Sequence, residues 1–453
     1  MFKNTIFLLL IPFIFTSCLS LAPKLELNQD ELLPQNFSQY EKSGDSNIKF
    51  DEYIKDETLK SLVNLALENN KDIQIALLNI EASKNLYKIE VSNYFPSIDA
   101  NSSLTRSKSE NTIRNSYKAN LSGSFELDLF GKIRSLNDSA KNSFLATTYA
   151  LNSAKLSLIS QTINSYLSLA SNVENLKLAK QISTNLQTVY ELTNKKYEIG
   201  LSQKEEVLSS LASYKESLND IIKYENSIKT DINSIELLTA SKFLDEMLPN
   251  GLKDSQDYLA SIKPNLNSTV LLNRPDIMEL EYKLKSKNAN IGVARAAFFP
   301  TISLSAATGY TSTALNGLFN SQNSFWQISP AINLPIFSAG ENLAQLKYSK
   351  TQKEIALKEY EKGIQTAFKE IKDALVSREN IFERLQNQED ITKSLENSYN
   401  IALNSYKIGY TSYLNMLTYQ KAYINSQKNL IALKLEEMEN KVELYKILGA
   451  NLD

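Results

Sequence analysis

Apolar positions along the chain follow two rhythms. Over residues 131–199 and 340–408 they recur every three or four residues, as in Leu156, Ile159, Ile163, Tyr166, Ala170 and Val173, or Ile364, Phe368, Ile371 and Leu375. That spacing builds one coiled-coil-like helix face. Both stretches are 69 residues long and contain no proline, so each predicts one helix of about 104 Å at 1.5 Å per residue. Each ends at a glycine, Gly200 or Gly409, where a left-handed cap can turn the chain back into a second helix. Between helices the period drops to two. From Tyr117 onward Ala119, Leu121, Gly123, Phe125, Leu127 and Leu129 alternate with Lys118, Asn120, Ser122, Ser124, Glu126 and Asp128, a strand with one apolar and one polar face. Ile98, Ala100 and Leu104 start a hairpin partner; Ile302, Leu304 and Ala306, then Trp326, Ile328, Ile332, Leu334 and Ile336, mark two more strands.

The same order of elements occurs twice. Asn70-Lys71-Asp72-Ile73 matches Arg274-Pro275-Asp276-Ile277, and Tyr94-Phe95-Pro96-Ser97-Ile98 matches Phe298-Phe299-Pro300-Thr301-Ile302, both at an offset of 204. Tyr197-Glu198-Ile199-Gly200 matches Tyr406-Lys407-Ile408-Gly409 at 209. So small a drift points to gene duplication. The first repeat covers residues 56–240, with strands at about 97–107 and 117–129 and a tip at 199–202; the second covers 272–453, with strands at about 301–311 and 325–337 and a tip at 408–411. Each reads helix, two strands, very long helix, tight turn, returning helix. The helix at 57–93 is expected to continue the helix at 411–448 end to end, and the linking residues 241–271 to lie at mid-height along the rods.

Strands of about ten residues suit a membrane-spanning sheet. Four strands leave two open edges, which lipid does not tolerate, so the sheet must close with copies of itself; four per chain allows eight strands in a dimer or twelve in a trimer. Aromatic residues sit at every junction of rod and sheet: Tyr94, Phe95, Phe130, Phe298, Phe299 and Phe337. They read as an interfacial girdle, or singly as ordinary packing at helix ends.

The N-terminus adds a destination. Lys3 precedes an eleven-residue apolar run, 5–15. A spanning helix needs about 20 such residues, so residues 1–17 read as a signal peptide. Phe15-Thr16-Ser17-Cys18 resembles a bacterial lipobox with Phe in place of the usual Leu, which implies acylation of Cys18 and, with Leu19 following, sorting to the outer membrane. Residues 18–55 would then be a lipidated extended segment. A plain secretory signal with an incidental cysteine is the alternative. Composition removes most other functions. With 49 Lys and Arg against 51 Asp and Glu, nothing draws the chain to nucleic acid. Histidine is absent and Cys18 is the one cysteine, which excludes Ser-His and Cys-His nucleophiles, His-ligated metal and CxxC pairs. No enzyme activity, metal or cofactor is expected. The 12 glycines and 10 prolines are about 5 % of the chain against an ordinary 12 % or so, as long helices require.

Four longer motifs carry a family resemblance: Leu271-Leu272-Asn273-Arg274-Pro275-Asp276-Ile277, Ile291-Gly292-Val293-Ala294-Arg295-Ala296-Ala297-Phe298-Phe299-Pro300, Phe125-Glu126-Leu127-Asp128-Leu129-Phe130-Gly131-Lys132 and Leu334-Pro335-Ile336-Phe337. In this order they resemble the TolC-type outer-membrane efflux proteins, and the lipobox points to their lipoprotein, OprM/NodT-like branch. The resemblance implies a mainly α homotrimer in which a twelve-stranded β-barrel continues into a periplasmic α-helical barrel. It implies a passive channel for drugs or other small molecules, lodged in outer-membrane lipid and served by a periplasmic adapter and an inner-membrane efflux transporter. It assigns adapter docking to the tips, Ile199, Gly200, Leu201 and Ser202 with Ile408, Gly409, Tyr410 and Thr411, and a periplasmic gate to Tyr406, Glu206, Asn415 and Thr418, with Tyr406 bonded to Glu206. Where the family often has acidic residues after the second glycine this chain has Asn415 and Thr418; Glu206 keeps the acid after the first. An exit duct for type I protein secretion would share the fold. A structural coiled-coil or filament protein would not need the strands.

Overall fold

The computed structural model describes residues 20–27, 50–110, 112–260 and 272–448. The expected signal peptide, Cys18, most of the segment 18–55 and residues 261–271 lie outside the described residues. The main elements are α1 (Glu57–Asn69), α2 (Lys71–Ser92), β1 (Ser97–Ser109), β2 (Thr112–Leu127), α3 (Lys132–Glu198), α4 (Lys204–Thr239), α5 (Pro275–Ala296), β3 (Thr301–Ser312), β4 (Ser324–Asn333), α6 (Glu341–Lys407) and α7 (Tyr413–Ile447). Helices α3 and α6 each run 67 residues. Mainly α, with one small sheet, the chain repeats helix, two strands, long helix and returning helix. None of the described helices is long and apolar enough to cross a membrane. The described residues fall into two compact units, one of 20–27, 77–150 and 276–363 and the other of 50–76, 151–275 and 364–448, with 111 and 261–271 outside the description.

The first unit holds an antiparallel sheet of order β1-β2-β3-β4. Its register puts Ile98, Gly123, Ala306 and Ile328 in one row across the sheet, Ala100, Leu121, Thr308 and Trp326 in the next, and Leu127, Ile302 and Ile332 near the helix-bearing end. These rows share a face because paired residues point the same way. The other face carries Ser97, Ser124, Ser305 and Ser329, then Asp99, Ser122, Ala307 and Gln327. Strands β1 and β4 each pair on one side alone. Strand β2 begins earlier than the alternation suggests and stops at Leu127, because Asp128 leaves the ladder to cap α3, accepting from Ile133 N at 3.0 Å and Arg134 N at 2.8 Å. Strand β4 ends at Asn333, paired with Thr301. Leu334 and Ile336, expected within it, lie beyond because β3 starts after Pro300 and Pro335 has no N–H to offer.

Below the sheet Phe130 stacks on Phe299 with ring centroids 4.7 Å apart, and Tyr149 stacks on Tyr282 at 5.3 Å. Segment 20–27 is fastened to this unit: Asn288 Nδ2 donates to the Pro23 carbonyl and Arg295 Nη1 to that of Leu21, both at 2.8 Å.

The second unit is built on helix seams. Leu178, Ile182 and Leu186 of α3 pack with Tyr214, Ile424 and Ile431, the stripe expected from three-and-four spacing. Tyr53 stacks on Tyr445 at 4.0 Å, and an isolated bridge joins Ile54 to Leu259. One expectation fails here: the single helix at 57–93 is two helices, broken at Asn70. This side chain accepts from Asp72 N at 2.9 Å and Ile73 N at 3.2 Å, so it caps α2, while its Nδ2 donates to the Leu238 carbonyl at 2.9 Å. A cap of this kind is worth about 1 kcal/mol, enough to favour a break where the partner chain segment supplies an acceptor. In the second repeat the matching helix starts with Pro275 in its first turn, where a missing N–H costs nothing.

Candidate functional site

The two places where long helices reverse share one backbone solution. At the first tip Leu201 N reaches the Lys196 carbonyl at 2.7 Å and Gly200 N that of Tyr197 at 3.0 Å; at the second, Tyr410 N reaches Ser405 at 2.8 Å and Gly409 N reaches Tyr406 at 3.1 Å. This six-to-one and five-to-two pairing needs a left-handed residue between helix and turn, and Gly200 and Gly409 have φ of 78° and 79°. A Cβ at either would meet nothing within 4 Å, so backbone conformation alone demands glycine.

The returning helices begin in matched ways with opposite hydrogen-bond polarity. Ser202 Oγ donates to Glu206 Oε2 at 2.5 Å. At the equivalent position Asn415 Nδ2 donates to Thr411 Oγ1 at 2.8 Å, and Ser412 Oγ accepts from Asn415 N at 3.3 Å. Ser202 and Thr411 therefore have a local role, tying the turn to the third residue of α4 and α7. Around them Ile199, Leu201, Ile408, Tyr410 and Leu414 are 70 to 86 % exposed. Large apolar side chains gathered at a solvent-exposed end mark an interaction surface.

Tyr406 is expected to bond Glu206, and the structure gives it another partner. Its hydroxyl lies 2.9 Å from Thr193 Oγ1. Thr193 spends its own proton on the Val189 carbonyl at 2.8 Å, so the phenol donates. Lys196 Nζ donates to the Tyr406 carbonyl at 2.6 Å and lies 4.1 Å from the ring centroid, and Tyr413 packs edge-on at 5.9 Å. Burial pushes the Tyr406 phenol up from 10.0, and the nearby charge of Glu206 acts in the same direction. Burial likewise raises Tyr413, against hydrogen bonds from Ser209 and Ser213. Glu206 thus acts on both phenols through its field while it accepts its hydrogen bond from Ser202.

Asn415 and Thr418 are exposed on α7, and Thr418 Oγ1 donates to the Leu414 carbonyl at 2.9 Å. Neither offers an anionic ligand, and the described residues contain no group of His, Cys, Asp and Glu that could hold a metal. Sequence reasoning missed Thr193 and Lys196. The signal was present: Leu178, Ile182, Leu186 and Val189 lead along one stripe to Thr193, a polar residue fully buried on an apolar face. Of the junction aromatics, Phe130 and Phe299 meet, and Phe95 and Phe337 are exposed at 67 % and 89 %.

A sequence model described as outer membrane efflux protein matches residues 62–241 and 266–450. The toluene efflux pump outer membrane protein TtgC of Pseudomonas putida is 35 % identical over 407 residues, 88 % of this chain and 84 % of that one. The probable outer membrane lipoprotein SilC of Salmonella typhimurium is 29 % identical over 465 residues, 99 % of each. Among solved structures, the open state of the Neisseria gonorrhoeae MtrE outer membrane channel superposes with a TM-score of 0.87 at 28 % identity, covering 96 % of this chain and 99 % of that one.

Proposed function

The chain belongs to the outer membrane efflux protein family, and from that premise we propose that it is the outer-membrane channel subunit of a tripartite efflux system, passing small molecules outward without covalent chemistry. The observation that carries this reading is the sheet: one face apolar across all four strands, the other lined by serine, asparagine and charged residues, and both edges unpaired. An unpaired backbone group in hydrocarbon costs several kcal/mol. Three copies close the edges as a twelve-stranded barrel whose hydroxyl-rich face lines a wet path, with the apolar face and the junction aromatics against lipid.

The exposed apolar tips suit a periplasmic adapter, which would hand the channel over to an inner-membrane transporter. Tyr406 with Thr193, Lys196 and Glu206 forms the gate that keeps neighbouring helix pairs together, and Asn415 and Thr418 line an uncharged constriction. Cys18 carries the lipid anchor; the lipoprotein relative SilC supports that placement, and mass spectrometry of membrane-extracted protein tests it by an acylated residue 18 with residues 1–17 gone. For the channel itself the test is native mass spectrometry in detergent followed by planar-bilayer recording. A trimer that conducts is expected; a stable, non-conducting monomer overturns the reading.

A further inference from the structure

The end of the sheet away from the helices carries a charge imbalance. Over residues 105–118 it holds Arg106, Lys108, Arg114 and Lys118 against Glu110, and the β3–β4 connection, 313–323, has no charged residue. The chain as a whole is nearly neutral at -2, so the excess is local. The register divides it between faces. Arg106 and Lys108 continue the row of Ile98, Ala100, Ser102 and Leu104 along β1, opposite Asn115 and Ile113 of β2. Arg114 and Lys118 are on the polar face, where Lys118 Nζ lies 5.1 Å from the Phe325 ring centroid.

Height along the strands says what the outward pair meets. From the row of Leu127 and Ile302 to the row of Leu104 and Tyr117 is ten residues of β2, about 33 Å of strand at 3.3 Å per residue. At the tilt of membrane strands this is about 25 Å of height, the size of a lipid-facing apolar band. Tyr117 and Tyr310 are on the apolar face near its top, and Phe319 packs edge-on against Tyr310 at 5.6 Å, as in an aromatic belt. Arg106 lies two residues further and Lys108 four, roughly 5 and 10 Å higher on the same tilt. The headgroup layer begins there and is about 5–8 Å deep; the lysine stem can reach back into it.

Resting on the outer-membrane reading above, we propose that Arg106 and Lys108 bind the phosphate groups of a phosphorylated glycolipid in the outer leaflet. The guanidinium takes two phosphate oxygens at once, the ammonium a third, and the acyl chains lie along the apolar rows beneath. Arg114, at the same height on the opposite face, takes no part.

The test is native mass spectrometry of the purified full-length oligomer, stripped in neutral detergent and titrated with diphosphorylated lipid A. The parent should retain this lipid. Because each cation near an anionic lipid surface is worth about fivefold in binding, Arg106→Ala with Lys108→Ala should lower retention about tenfold or more. Arg114→Ala should leave retention unchanged, Arg106→Lys with Lys108→Arg should preserve it, and dephosphorylated lipid A should bind the parent as poorly as the diphosphorylated form binds the double alanine variant. Equal retention by that variant, or an equal loss from Arg114→Ala, overturns the proposal while leaving the channel reading intact. Failure of the parent to assemble in neutral detergent overturns the channel reading and this proposal with it.

Discussion

The two helix reversals share a backbone and differ in what they do with charge. Both turn through a glycine near φ 78° with the same pair of carbonyl contacts, and both tie a hydroxyl to the third residue of the returning helix. The first uses a carboxylate as acceptor, Glu206 from Ser202; the second uses an amide as donor, Asn415 to Thr411. The tyrosines preceding the glycines have also parted. Tyr406 is 3 % exposed and bonded across the seam, whereas Tyr197 is 40 % exposed with Lys204 5.1 Å from its ring. Duplication kept the bend, which physics dictates residue by residue, and released the side chains around it to separate tasks: one tip holds the negative field, the other the buried lock.

The largest expected effect comes from giving the second tip the charge it lacks. Asn415→Asp with Thr418→Asp should make the channel susceptible to block by divalent cations at about 10⁻⁶ to 10⁻⁴ M, the range of carboxylate-built sites, while the parent current is unaffected. Single-channel recording with cation on the tip side decides it; a parent already blocked at micromolar cation would mean that these residues do not line the constriction.

Next is the lock. Tyr406→Phe removes a buried hydroxyl pair, about 1 kcal/mol, and should raise resting conductance, whereas Tyr197→Phe should change nothing; equal effects would erase the distinction between the tips. The same lock has a pH signature. With the folded phenol above 10.0, its contribution to stability is fully present below pH 10 and is lost as pH rises from there through the folded-state value. Difference absorbance between parent and Tyr406→Phe should show one late-titrating phenol in the parent.

Comparable in size, and equal at both tips, is the cost of a Cβ. Gly200→Ala and Gly409→Ala should each lower the thermal stability of the oligomer by about 1 kcal/mol, and a clear inequality would show that one tip is held by its surroundings rather than by its backbone. Least of all, Glu206→Gln keeps an acceptor for Ser202 and should shift stability by no more than about 0.5 kcal/mol. Any change it makes in conductance is then a field effect on Tyr406 and Tyr413.

The fold was legible because its signals are local and repeated. A period of two gives way to one of 3.6 at Asp128, proline is absent from both rods, and matching motifs return about 205 residues later. The break at Asn70 was not, because an asparagine set between Asn69 and Lys71 in a periodic stretch looks continuous until the Leu238 carbonyl arrives from 168 residues away. Around the tips, glycine announces a left-handed turn by its chemistry. The Thr193–Tyr406 pair joins residues 213 positions apart and is written only as a polar interruption of an apolar stripe, which fixes that Thr193 is buried without naming its partner. The fastening of residues 21 and 23 to Arg295 and Asn288 leaves no pattern at all, since the acceptors are backbone carbonyls that any residue would supply.

The unpaired edges of the sheet have a consequence for the order of events. Strand β1 offers 13 residues and β4 offers 10 with one side of the ladder open, and those groups are satisfied by water until another chain covers them. If the sheet closes with copies of itself as proposed, a lone chain gains nothing by entering lipid, and closure has to accompany entry. Assembly should be of higher than first order in chain concentration, with a lag at low supply that added folded oligomer does not shorten, because a closed ring presents no edge on which the next chain could grow.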